Sequence, residues 1–184
     1  MSTRSDIVAV SDTLIREKGY NAFSYADLAK TLGIRNASIH YYFPTKTDLA
    51  IAVIDRQLEK LNELISSVTD SDPLTQLEAY LSIYTHTREE GSVCIVGSLA
   101  SDLYSIDERI SNHLRTLVDE ILLWVAGILE RGQDSGVFHF TGSPRSRALL
   151  VVTNMLASLQ LVRLTDNKND FETIKEAVLK ELTT

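Results

Sequence analysis

The ten residues 35–44, RNASIHYYFP, set a histidine and three consecutive aromatic rings between an arginine and a proline, with Lys46 two residues further on. Side chains of these types suit recognition of a nucleic acid. Tyr41 and Tyr42 each offer a flat apolar body and a hydroxyl that donates to a phosphate oxygen. Arg35, Asn36, Ser38 and His40 offer donors and acceptors for base edges or for the sugar-phosphate backbone. Lys46 would add a cation where the free N–H groups of the next helix also favour phosphate. On helical spacing Ile39 and Phe43, four residues apart, share an inner face, and Asn36, Ser38, Tyr41 and Tyr42 turn variously outward. Core packing accounts for Ile39 and Phe43, but three rings in a row cannot all face inward from one helix.

A second candidate chemistry rests on the single cysteine. In EEGSVCIVGSLASDL, Cys94 lies near the start of a short predicted helix, whose dipole favours the reactive thiolate. Val93, Ile95 and Val96 fit the plainer reading equally, in which Cys94 is a small buried hydrophobe. One cysteine makes no intramolecular disulfide, which fits a reducing cytoplasm and leaves adduct formation, sulfenic acid or a bridge between subunits. Tyr80, Tyr84, Trp124 and Met155 are candidates to line an apolar pocket, against plain core packing for each. His86, His113 and His139 show no i, i+4 pairing with one another or with Cys94, so no metal site is expected. No nucleophile–base spacing or glycine-rich phosphate loop is present, so neither catalysis nor a cofactor is expected.

The elements that must position these residues read as helices throughout. Ile7, Val10 and Leu14 share one face of a helix that Gly19 stops. Ser24 followed by Asp27 is a capping pattern for a second helix, with Leu28, Ala29 and Leu32 inward and Gly33 at its end. A third spans roughly 36–42 and stops before Pro44. Thr45 and Asp48 repeat the capping spacing and open a long fourth helix carrying Leu49, Val53, Ile54, Leu58, Leu61 and Ile65. Asp72-Pro73 starts a helix with Leu74, Leu77, Tyr80, Leu81 and Tyr84. A short apolar stretch at 93–103 follows, then a long helix from about 106 to 131. GQDSGVFHFTG, residues 132–142, reads as a loop. Ser143-Pro144 opens a helix ending near Leu164, and Asp170 is expected to cap a last one. The fold class is therefore all-α, with a small three-helix unit at residues 1–48 and a helical body at 49–184.

The second and third helices, joined tightly through Gly33-Ile34-Arg35, match a helix-turn-helix, whose last helix enters the major groove. Charge sharpens this. Residues 1–50 hold six Lys/Arg and five Asp/Glu, a net of +1, so the rest of the chain carries −8 of the total of −7. An acidic whole disfavours binding driven by general charge but leaves room for a local basic face. No membrane span or signal peptide is expected, because no run approaches the ~18 apolar residues of a span and the N-terminus lacks an apolar core. In the helix from 144, ALLVVTNMLASLQLV is apolar almost all round and must be buried on more than one face. Ala148, Ala157 and Ser158 would allow close helix approach, either in a monomer core or in a homodimer through about 144–182.

The stretch from Phe23 to Leu49, FSYADLAKTLGIRNASIHYYFPTKTDL, resembles the signature of the TetR-type transcriptional repressors in Ser24, Leu28-Ala29, Leu32-Gly33, Tyr42-Phe43, Pro44-Thr45-Lys46 and Asp48-Leu49. The resemblance covers about the first quarter of the chain. It implies a homodimer whose two heads bind successive major grooves of a near-palindromic double-stranded operator, with the last two helices of each subunit forming the dimer interface. It also implies a small-molecule effector that enters the helical body, changes the distance between the heads and releases DNA. Carried onto this chain, the DNA contacts are Tyr25, Arg35, Asn36, Ser38, His40, Tyr41, Tyr42 and Lys46, and the effector residues are Tyr80, Tyr84, Cys94, Trp124 and Met155. Two positions depart from the pattern: Arg35 stands where a capping serine is frequent, and His40 replaces a common tyrosine. The Cys94 segment also resembles that of family members that sense electrophiles and reactive chlorine species. The expected function is a cytoplasmic repressor released by a small molecule, with a thiol-reactive electrophile as one candidate. The competing readings are a helical protein-interaction adaptor with a degenerate head and a small thiol enzyme.

Overall fold

The computed structural model describes residues 4–183, the side chain of Lys168 apart, so the outermost ends of the expected 1–48 and 49–184 division lie outside the described residues. Among the described residues it contains nine α-helices: α1 (Arg4–Lys18), α2 (Tyr25–Leu32), α3 (Asn36–Tyr42), α4 (Lys46–Val68), α5 (Pro73–Glu89), α6 (Ile95–Ser101), α7 (Glu108–Asp134), α8 (Pro144–Thr165) and α9 (Lys168–Thr183). A single 3-10 turn, Tyr20–Ala22, joins α1 to α2.

Local chemistry starts these helices. Ser24 and Asp27 form a reciprocal capping box on α2. Thr45 and Asp48 do the same ahead of α4, with the Asp48 N–H donating to Thr45 Oγ1 at 3.1 Å and the Thr45 N–H donating to Asp48 Oδ2 at 3.0 Å. Asp72 accepts from the N–H groups of Leu74 and Thr75 at the start of α5, and Ser143 from that of Ser146 at the start of α8. Hydrogen bonds from the Ser24, Thr45 and Thr75 hydroxyls are the largest cause holding Asp27, Asp48 and Asp72 respectively below the usual carboxylate range. A carboxylate depressed in the folded state stabilises above its unfolded pKa of about 3.9, and that contribution is lost as pH falls through the lower folded value. Stability should therefore decline on the acid side of about pH 4. Asp72→Asn, which can still cap but cannot ionise, should flatten that decline when acid unfolding is followed by far-UV circular dichroism.

Two helices differ from their expected bounds. α7 runs on through Gly132 to Asp134, three residues into the expected loop. The Gly132 carbonyl accepts the N–H groups of Val137 and Phe138 at 2.8 and 2.9 Å, and the chain turns away at Gly136, whose φ is +73°. α9 begins at Lys168 because Asn167 supplies the cap: its side-chain carbonyl accepts the Asn169 N–H at 3.3 Å and its amide donates to Asp170 at 2.9 Å. By length and composition α8 is apolar enough to cross a membrane, alone among the described residues. No such run is expected from the sequence; α8 meets the test because its arginines stand near its ends, at 145, 147 and 163.

The chain divides into two compact units, Met1–Lys60 with Ile95–Leu117, and Leu61–Cys94 with Val118–Thr184. In the first, Ile7, Ile15, Leu28, Ile39, Leu49 and Leu99 are fully buried, and α1 packs against α2 and α6. Ser98 in α6 donates to the Ile15 carbonyl near the end of α1 at 2.6 Å, in the interior. In the second, α8 packs along α9 and α5 around Leu77, Val125, Ile128, Met155 and Phe171.

Candidate nucleic-acid interface

The α2–α3 joint is built by backbone conformation. Gly33 takes a left-handed conformation (φ 66°, ψ 31°), returning its N–H to the carbonyls of Ala29 and Lys30. Arg35 then extends (φ −84°, ψ 145°) as the N-cap of α3, with no hydrogen bond from its side chain to the helix. Only its carbonyl contributes, accepting the Ser38 N–H at 2.9 Å. The Arg35 guanidinium is thus not engaged in capping and stays exposed.

α3 separates its faces sharply. Ile39 and Phe43 are buried, at 0% and 2% exposure, whereas Tyr41 is 80% and Tyr42 40% exposed. Asn36, Ser38 and His40 are exposed too, so Arg35, Asn36, Ser38, His40, Tyr41 and Tyr42 gather on the outer surface of one two-turn helix and its cap. The Tyr41 and Tyr42 rings pack edge to face, with centroids 5.1 Å apart, which restrains both phenols. His40 meets the Tyr25 ring edge-on at 4.7 Å, and its Nδ1 lies 3.4 Å from the Pro44 carbonyl. A carbonyl only accepts, so this long contact favours the Nδ1–H form and leaves Nε2 as an acceptor.

Tyr25 and Lys46 are placed differently from the rest. Tyr25 donates its hydroxyl to the Phe43 carbonyl at 2.9 Å, and burial pushes its phenol far above the ordinary value. Lys46, the first residue of α4, donates to the carbonyls of Tyr20 and Phe23. Its Nζ lies 4.6 and 4.1 Å from the centroids of those two rings. Burial lowers the pKa of its ammonium, and the Asp102 carboxylate pulls in the opposite direction. Tyr25 therefore spends its hydroxyl on the end of α3, and Lys46 its ammonium on the turn that precedes α2.

Arg4 was not visible as a site residue. Its guanidinium lies over the Phe43 ring, 5.0 Å from the centroid, which sets an exposed cation beside the end of α3. Nothing in the local spacing around residue 4 signals this, because its partner is thirty-nine residues away.

In the second unit, the expected effector residues fall together. The Tyr80 and Tyr84 hydroxyls are 2.8 Å apart in the interior, and the Trp124 ring meets Tyr80 edge-on at 5.9 Å. Met155 belongs to the same buried cluster, with Cys94 and Trp124 partly buried against it. Burial drives both phenols well above their ordinary range, and Cys94 is close enough for a thiolate there to push them further. Each of the other histidines has its own partner: the His86 ring contacts the Ser82 carbonyl at 2.7 Å, the His113 ring, in the first unit, contacts Asp55 at 2.8 Å, and the backbone N–H of His139 donates to the Leu182 carbonyl at 2.6 Å. Among the described residues no three His, Cys, Asp or Glu side chains gather as metal ligands.

Residues 7–53 match the model of the bacterial regulatory proteins of the tetR family. A crystal structure of a TetR-family transcriptional regulator from Agrobacterium tumefaciens is 30% identical, with a TM-score of 0.91, covering 98% of this chain and 97% of that one. A TetR regulator from Legionella pneumophila is 29% identical over 99% of this chain and 98% of its own, with a TM-score of 0.88. The HTH-type transcriptional repressor NemR of Escherichia coli is 20% identical over 86% of this chain and 83% of its own length. Its reduced form has a solved structure that matches with a TM-score of 0.81, at 19% identity over 100% of this chain and 98% of that one.

Proposed function

This chain belongs to the TetR family of bacterial regulatory proteins, and from that premise we propose a dimeric repressor that binds a near-palindromic operator through α3 and leaves it when a small molecule enters the helical body. It is a DNA-binding transcriptional regulator. The observation that carries the finer reading is the division of α3, with Ile39 and Phe43 inward and six polar or amphipathic side chains outward. Arg35, Asn36, Ser38, His40, Tyr41 and Tyr42 are the direct contacts in this reading. Tyr25 and Lys46 serve it by holding the joint between α3 and α4, and Arg4 adds a phosphate contact at the edge. DNA binding is assigned to residues up to about the first turn of α4, and the cytoplasm is the compartment.

The dimer reading rests on α8. Its inner face, Ala148, Val151, Met155, Leu159 and Val162, is buried within the second unit. On another face Leu150, Asn154, Ala157, Leu161 and Leu164 recur at alternating spacings of four and three, and all are exposed in the single chain. A heptad-like stripe of this kind, apolar except at Asn154, suits a second copy of the same helix across a two-fold axis, with Ala157 allowing close approach. Burial on two faces also accounts for a helix apolar enough to resemble a membrane span. Two heads joined in this way read half-sites about 34 Å apart.

The effector reading places the ligand against Tyr80, Tyr84, Cys94, Trp124 and Met155, an aromatic and polarisable cluster whose two buried hydroxyls bond each other. Fluorescence anisotropy on the DNA upstream of this protein's own coding region tests the recognition and effector parts. Affinity should fall about a thousandfold or more between about 50 and 200 mM salt, as expected when several phosphates are neutralised. Tyr42→Ala should weaken binding about tenfold without unfolding the chain; unchanged affinity would remove α3 as the recognition surface. A thiol-reactive electrophile should release the DNA from the unaltered chain and not from Cys94→Ser. Equal indifference in both would return Cys94 to core packing and leave a non-covalent effector.

A further inference from the structure

The turn between α1 and α2 has one long backbone hydrogen bond of its own, from the Ala22 N–H to the Gly19 carbonyl at 3.3 Å. It has three residues, its N-cap is Gly19, and a glycine has no side chain with which to accept the turn's first N–H. Gly19 stands at φ +91°, a conformation that other residues rarely take. The missing cap comes from far along the chain: Asp102 Oδ2 accepts the Tyr20 N–H at 3.0 Å. Its Oδ1 accepts from the Asn21 amide at 3.1 Å, and that amide also donates to Ser105 Oγ at 2.8 Å. At the other end of the turn the carbonyls of Tyr20 and Phe23 accept from the Lys46 ammonium, which is seated over both rings. A carboxylate thus holds the N–H end and an ammonium the C=O end. Asp102 and Ser105 are themselves fixed by the turn that follows α6, where the Ser105 N–H and hydroxyl both donate to the Asp102 carbonyl at 2.8 Å.

We propose that Asp102 is a positioning residue for operator recognition, acting through the Tyr20–Phe23 turn on Lys46 and so on the α3–α4 joint. The proposal rests on the reading of the head as the DNA-binding surface. The elements it sets are those that matter for recognition: α2 begins two residues after Phe23, and Lys46 opens α4 immediately after the segment that ends α3. Asp102 touches no DNA in this scheme. Its loss lets the head tilt, which spoils simultaneous base-edge contacts but leaves the cations that hold any duplex. Sequence-specific and non-specific binding therefore part company.

The test measures anisotropy of the full-length protein on its operator and on an unrelated duplex, each across a salt series. Asp102→Asn should lose about tenfold or more in operator affinity while non-specific affinity stays within about twofold, so that the specificity ratio falls. Lys46→Met should show a similar operator loss with the salt slope unchanged. The double variant should be no worse than the weaker single one, because both act through one turn. Asn21→Ala, which removes only the outer bond and is the milder change if Asp102→Asn misfolds, should lose about threefold in the same direction. Full operator affinity in Asp102→Asn and Asn21→Ala, or equal loss on both duplexes, overturns the proposal. So does additivity, or a fall of about one in the salt slope of Lys46→Met, which would make Lys46 a phosphate contact. If the unaltered chain shows no salt-sensitive DNA binding, the reading of the head fails first and the proposal with it.

Discussion

Leu161→Glu together with Leu164→Glu should yield a folded monomer that no longer holds its operator. Both leucines lie outside the buried cluster of their unit, at 45% and 85% exposure, so the substitutions cost little in the single chain. In the proposed dimer they close the C-terminal part of the α8 stripe, and two-fold symmetry makes every change count twice. Burying a leucine contributes about 1.5–3 kcal/mol, and four are lost, replaced by carboxylates that repel across the axis. The dimer dissociation constant should rise at least about a thousandfold. Operator affinity should fall by roughly a hundredfold or more, because the second head no longer binds as part of the same molecule. Sedimentation velocity reads the first effect and anisotropy the second, with circular dichroism confirming unchanged helicity. A variant that still sediments as a dimer would move the interface off this face of α8.

That prediction draws on a feature the sequence displayed openly: an α8 apolar on two faces. Other features were just as legible, and for the same reason, since each rests on residues within a turn or two of one another. Ser24 with Asp27, Thr45 with Asp48, Asp72, and Ser143 all cap as their spacing implies. Ile39 and Phe43 turn inward at a spacing of four while Tyr41 and Tyr42 cannot follow. What stayed hidden depends on partners far off in sequence. Lys46 reads as an exposed cation at a helix start, and only the folded turn at residues 20–23 brings two rings and two carbonyls around it. Arg4 gains meaning only beside Phe43. Asp102 and Ser98 lie in a segment with no nucleic-acid signature, yet they brace the turn and the end of α1. The bounds of α9 were missed more locally, because Asn167 competed with Asp170 as cap and its side chain satisfied the earlier N–H.

Gly132→Ala should destabilise the protein by roughly 3 kcal/mol, against the sign that helix propensity alone would give. An alanine in a helix interior is usually better than glycine by about 1 kcal/mol. Here a Cβ at Gly132 would sit 2.0 Å from Cδ2 and 2.4 Å from Cε2 of Phe138. The ring cannot swing aside cheaply: Phe138 is 1% exposed, and its N–H is tied to the Gly132 carbonyl at 2.9 Å. Either the ring leaves the core, at about the cost of removing a buried phenylalanine, or α7 and the chain beyond it separate. For a chain of this length the expected fall in Tm is roughly 6–12 °C, read by thermal circular dichroism. The diagnostic comparison is made in a Phe138→Ala background, where the ring is gone and Gly132→Ala should become neutral or stabilising by up to about 1 kcal/mol. The reversal of sign between the two backgrounds is specific to a ring lying on bare backbone. A Gly132→Ala variant that melts higher than the unaltered chain would mean that Phe138 does not occupy that place, and α7 would then have no packing reason to continue past the glycine.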